Sequence, residues 1–272
     1  MDEAAVSPPR HQGSLSGRKR AITGVPSRPL VALVAVAIGA LVITILSLLL
    51  PYGGFFATLL FEHTPASPFP YPFTIQNLLH ILLFFALGEL FVRGRTANWE
   101  RKQLRQKYLP EDDSTVLRIE DLGPIRRRVA HSFDGQNGFL PYLIDLAILQ
   151  LQSTRSIDQA VSVLSTTIQL MGDRVDNRYS LVRYLSWVIP TLGFVGTVTH
   201  LGEALRLVDP AHMNLSTVTT ALAVAFNTTL VALIESAIIV LFQTVIQAQE
   251  EGAVTEAGEY CLRNLINRLY LE

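Results

Sequence analysis

Four long apolar runs, separated by charged or proline-rich segments, constrain this chain more than any other feature. Pro29 to Leu50 carries Thr44 and Ser47 but no charge. Phe73 to Val92 is interrupted only by polar residues, His80 and Glu89. Leu185 to Leu207 and Val218 to Val245 complete the set. At about 1.5 Å per residue, some 20 residues cross a hydrocarbon core of about 30 Å. Each run is therefore long enough to span. In lipid the backbone must satisfy its own polar groups, and a run of this length does so as a helix. Such a chain folds as an all-α, polytopic membrane protein with about four transmembrane helices and helical cytoplasmic extensions. Composition agrees: 49% of the 272 residues are hydrophobic and 17% charged, against roughly a quarter charged in soluble domains.

The first run competes with a cleaved signal peptide, because Arg18-Lys19-Arg20 precedes it. It exceeds the usual apolar signal core of about 7–15 residues, and no small-x-small site follows closely. A retained helix is the expectation. Basic residues then orient the chain. Of 22 Lys and Arg, 5 precede the first span, none lie in 51–72, 14 lie from Arg93 to Arg183, 1 is Arg206, and 2 are in the tail. The segments thus alternate inside, outside, inside, outside, inside, with both termini cytoplasmic.

This divides the chain into a basic leader expected to be disordered (1–28), a first hairpin with spans at 29–50 and 73–92 (29–93), a cytoplasmic helical domain (94–184), a second hairpin with spans at 185–207 and 218–245 (185–246), and a helical tail (247–272). The proline-rich link 51–72 reads as a short outer connection with a re-entrant touch around Phe55-Phe56. Phe139 to Gln152 is apolar but, at about 14 residues, short for a span. It is expected to be a buried or interfacial helix. Ile157, Val161, Leu164, Ile168, Met171 and Val175 repeat at a helical period, and no break separates that helix from the third span.

Several function classes fall away. A net charge of −1 points to no nucleic acid. Cys261 is the lone cysteine, so it has no second thiol for a disulfide or a metal site. The His-Glu-x-x-His, Gly-x-Ser-x-Gly and phosphate-loop motifs do not occur. The expectation is a non-enzyme with no cofactor and no metal.

The chemistry-bearing stretch is Trp187 to Val198. On a helix Pro190, Gly193, Thr197 and Ala204 fall near one face, with Gly196 and His200 beside it. In the fourth span Ala221, Ala225, Thr228, Ala232 and Ser236 form a small-residue stripe flanked by Asn227 and Thr229. Small residues let backbones approach, and hydroxyls supply polar atoms at membrane depth. Spacing alone leaves two readings open, plain helix packing in lipid or a seam that admits water. Glu235 is a membrane-depth carboxylate and so a candidate proton site or partner for a basic group. His200 and Glu203, one turn apart near the outer mouth, are expected to be water-exposed. Glu89 and Arg93 have the spacing of a helical ion pair, and His80 that of a buried hydrogen-bonding residue.

The stretch Ile189-Pro-Thr-Leu-Gly-Phe-Val-Gly-Thr-Val198 resembles the Pro-x-Leu-Gly-x-x-Gly-Thr-Val signature of the MotA/TolQ/ExbB proton-channel family. Ala225-Phe-Asn-Thr-Thr-Leu-Val-Ala-Leu233 resembles that family's matching segment on the next helix. The similarity covers roughly residues 140–250. It implies an ion-conducting subunit, for protons or sodium, in an energy-coupling complex of the bacterial inner (cytoplasmic) membrane. It further implies a ring of copies, commonly a pentamer, around a single-span MotB/TolR/ExbD-like partner whose aspartate takes up the ion. By the resemblance Thr197 faces that aspartate, Pro190 is the helix-kinking proline, and Gly193 and Gly196 allow close packing. The fourth-span threonine is Thr228 or Thr229. Together with these threonines, Glu235, His200 and Glu203 are the candidate ion-pathway residues. A secondary transporter or a structural scaffold in the bilayer is the alternative, although no inverted repeat is visible.

Overall fold

The computed structural model describes residues 27–51, 54–62, 69, 71–112, 114–130, 132–133, 137–206 and 215–270. The basic leader, apart from its last residues, and much of the two outer connections lie outside the described residues. Helix α1 (Arg28–Leu49) starts with a proline at its first turn, where the missing N–H costs nothing. It is followed by the single-turn α2 (Phe55–Leu60). Next comes α3 (Ile75–Leu104), whose Thr74 cap accepts from the Asn77 amide at 3.2 Å. Then follow α4 (Leu122–Val129), α5 (Phe139–Thr154), α6 (Ile157–Arg178), α7 (Ser180–Arg206) and α8 (Leu215–Asn264).

Four helical stretches among the described residues are long and apolar enough to cross a membrane: α1, α3, the α6–α7 rod and α8. The fold is therefore all-helical and of membrane type. Its only β-feature among the described residues is an isolated bridge between Leu117 and Leu269. The 50 residues of α8 extend about 75 Å, more than twice the hydrocarbon thickness. The fourth span thus continues unbroken into the tail. The third joins α6 through a turn at Tyr179, whose ring is fully buried.

In the apolar half, α7 packs along α8, α3 lies against both, and α1 is outermost. Only Ala35, Gly39 and Ile43 of α1 are buried. The contact of α1 with α3 is close: a Cβ at Gly88 would sit 2.6 Å from that of Ala35. Trp187, Phe194, Leu205, Phe226, Leu233 and Leu241 leave the opposite faces of α7 and α8 apolar and exposed in the single chain.

The polar half is built around α5. Its Leu140, Leu143, Ile144, Ile148 and Leu151 are buried against α6 and α8, with α4 packed on the outside. The short apolar run is thus a core helix and not a fifth span. Glu100 on the charged extension of α3 accepts from the Gly138 and Phe139 amides at 2.7 and 2.9 Å. It takes the place of a side-chain cap at the start of α5. Glu250, fully buried, accepts from Arg178 at 2.5 Å and from the Tyr179 hydroxyl at 2.8 Å. The tail is fastened to the chain after α3, because Arg268 donates to the carbonyls of Pro110 and Glu111, both at 3.1 Å.

Candidate functional site

The two hairpin segments singled out in the sequence face each other. A Cβ at Gly193 would collide with that of Ala232, and one at Gly196 would lie 2.7 Å from Thr228 Cγ2. Glycine is therefore required at both positions for the α7 and α8 backbones to approach this closely. The approach brings Thr197 Oγ1 to the Ala225 carbonyl at 3.0 Å and Thr229 Oγ1 to the Gly193 carbonyl at 3.1 Å. The two hydroxyls also touch each other. Thr229 is thus the fourth-span threonine that meets Thr197, and both are half-buried. Thr228 turns the other way. It is fully buried with its methyl against Gly196, and its hydroxyl donates to Val224 of its own helix at 2.9 Å.

Pro190 sits within an unbroken α7. Proline has no N–H to donate to the carbonyl four residues earlier. That acceptor, the Ser186 carbonyl, instead takes the Ser236 hydroxyl from α8 at 2.7 Å. The small-residue stripe of α8 therefore does two things: it makes room, and it repairs the hydrogen bond that the proline removes.

A second cluster lies at α2. The carbonyls at and just before its C-terminus are each held by a neighbouring helix. Asn227 Nδ2 donates to Thr58 at 3.0 Å, Gln76 Nε2 to Leu59 at 3.2 Å, and His80 Nε2 to Leu60 at 2.9 Å. The other nitrogen of His80, Nδ1, meets Glu235. His200 repeats the pattern: Nδ1 donates to the Gly196 carbonyl at 2.6 Å and Nε2 meets Glu62 at 2.5 Å. An apolar cavity of about 300 Å³ opens beside the first pair, walled by Val42, Leu46, Leu59, Phe84 and Ile234.

His200 is not water-exposed; it is 3% exposed, because the chain folds Glu62 back over it. Glu203 does not share its setting, being partly exposed and paired with Arg206 at 3.6 Å. Glu89 and Arg93 form no ion pair. Arg93 is buried, with Nε and Nη2 lacking a hydrogen-bond partner, while Glu89 is half-buried. Phe55 and Phe56 open the short helix α2, and Glu235 meets a basic partner, His80. Glu62 was not legible as a site residue. It lies in a proline-rich link, and only the return of that link onto α7 gives it a role.

Among the described residues no group of three or more His, Cys, Asp or Glu could hold a metal ion. No curated protein and no solved structure matches the chain. A family model does match, over residues 140–258, a segment that begins in α5 and runs through both helices of the glycine and threonine seam. The model is that of the MotA/TolQ/ExbB proton channel family, and the matched residues make up less than half of the chain.

Proposed function

We propose that this chain is the ion-conducting subunit of an energy-coupling complex, carrying protons or sodium ions. Copies would form a ring, commonly a pentamer, around a single-span partner whose aspartate takes up the ion. Supporting this, the matched segment contains the closely packed α7–α8 pair, and Thr197 and Thr229 meet there. Both hydroxyls engage backbone carbonyls within the chain. A passing ion would therefore exploit their lone pairs and the half-exposed edge of the seam. The exposed apolar faces of α7 and α8 supply surface for neighbouring copies and for the partner helix. One elementary charge crossing the membrane releases about 2.3 kcal/mol per 100 mV. The complex would convert that energy into movement of ring against partner, with no bond-making step. Its place would be the bacterial inner membrane, with both termini cytoplasmic.

The test is purification of the full chain from its native membrane, followed by flux measurement in vesicles with a pH-sensitive dye. A homo-oligomer that retains a one-span, Asp-bearing polypeptide and loses proton flux on Thr197→Val supports the reading. A monomer that moves solute without a partner overturns it.

A further inference from the structure

We infer that His80–Glu235 and His200–Glu62 are two proton-binding sites, each holding one proton, and that the proton of His200–Glu62 fastens the α2 segment to the bundle. This goes beyond ion conduction and does not depend on it. Hydrogen-bond valence fixes the number of protons at each pair. In His80 the Leu60 carbonyl can only accept, so Nε2 carries a hydrogen. Nδ1 then faces Glu235. In His200 the Gly196 carbonyl claims the hydrogen of Nδ1, and Nε2 faces Glu62. Without one more proton, each contact would press a nitrogen lone pair against a carboxylate. Each pair therefore holds one proton between nitrogen and oxygen, and is neutral overall.

The surroundings enforce this count. Glu235 and Glu62 are 4% and 2% exposed, and the second oxygen of each is buried without a partner. An unneutralised carboxylate in this setting would bear a heavy desolvation cost. The groups facing His80 are Glu235 from α8, the Leu60 carbonyl and Phe61 from the α2 segment, and apolar α1 residues around the cavity. Those facing His200 are Glu62 and the Gly196 carbonyl, with Glu203 one turn on and turned to Arg206. Both pairs grip the same short stretch, one through Leu60 and one through Glu62. Undocking residues 54–62 separates both histidines from an acceptor they need.

The consequence is a countable coupling. Above the ordinary histidine range, about pH 6.5, a separated histidine and glutamate hold no proton between them. Undocking of α2 parts Glu62 from His200, so that pair releases one proton, while His80 and Glu235 stay together on α3 and α8. The opening equilibrium therefore rises about tenfold per pH unit. Asn227 and Gln76 add hold that does not vary with pH.

The experiment uses the full chain in lipid vesicles with a membrane-permeant maleimide. Ala57→Cys places a thiol on the buried face of α2, and Phe55→Cys places one on its exposed face as a reference for thiolate reactivity. Native Cys261 is buried and stays silent. The ratio of the two labelling rates should rise about tenfold per pH unit above about pH 6.5. E62Q supplies an amide N–H to His200 in place of the shared proton and should flatten the slope, whereas E235Q should keep it. A flat parent, or E62Q with the parent's slope, overturns the inference. Amide hydrogen exchange over residues 54–62 in the unsubstituted chain, corrected for its intrinsic pH dependence, reads the same opening and guards against misfolding of a variant. Flux through the Thr197 seam is a separate measurement, so the two proposals fail independently.

Discussion

Ser236 on α8 donates its hydroxyl to the carbonyl of Ser186 on α7 at 2.7 Å, and so occupies an acceptor left open by Pro190. A proline inside a helix normally costs about 3 kcal/mol, in part through this lost hydrogen bond. Here the helix stays continuous from Ser180 to Arg206, and the facing helix supplies the donor. The proline thus becomes a point of attachment between two spans.

Replacing Ser236 by alanine removes that donor and leaves the Ser186 carbonyl unpaired within the membrane. An unsatisfied buried acceptor costs about 1–3 kcal/mol. S236A should lower the thermal unfolding midpoint of the detergent-solubilised protein, and a midpoint equal to that of the parent would show the contact to be idle.

At Gly193 an added methyl would run into the Cβ of Ala232. G193A should therefore push α7 from α8 at a cost of about 1–3 kcal/mol. Because the obstacle is one methyl group on the facing helix, A232G in the same chain should recover most of the loss. Unfolding of the two single variants and the double variant measures this coupling directly.

Thr228 and Thr229 are adjacent but do different work. The Thr228 hydroxyl donates only within its own helix, so T228V should cost less than about 1 kcal/mol. Thr229 reaches the Gly193 carbonyl and Thr197 across the seam. T229V should cost about 1 kcal/mol of stability and, under the proposed function, abolish ion flux, while T228V conducts. Equal flux in the two variants would count against the seam as the ion's route.

Glu100 lies beyond the apolar part of α3, where the helix has become charged. Burial raises its carboxyl from the ordinary 4.5 to about 7, against the opposing pull of the Gly138 and Phe139 amides and Arg178. The folded state thus binds a proton more readily than the unfolded chain between pH 4.5 and about 7. Its stabilising contribution is complete below the lower value and is lost as pH rises through the upper one. E100Q, neutral at every pH, should flatten the stability profile across that window, as read by the unfolding midpoint against pH.

Much of this was legible from residue order. Apolar run length separates spans from the α5 core helix, because a bilayer sets a minimum length and Phe139–Gln152 falls short of it. The absence of any break between Val245 and the tail predicts the long α8. Gly193, Gly196, Thr197 and the Ala/Thr/Ser stripe name the faces that meet, since helical periodicity is a local property. Periodicity does not tell which of two adjacent threonines points at a partner, and a rotation of about 100° per residue separates Thr228 from Thr229.

The pairs His80–Glu235 and His200–Glu62 join residues 155 and 138 positions apart, and nothing local marks them as partners. Glu89 and Arg93, which do have a local pairing signal, form no pair, because burial of Arg93 among neighbouring helices overrides their spacing. By itself the sequence determined the number of spans and the small-residue faces, because these follow from hydrophobic length and short-range period. Only the tertiary structure decided the partner of each buried polar group, because in an apolar interior that partner is whichever donor or acceptor the packing brings within reach.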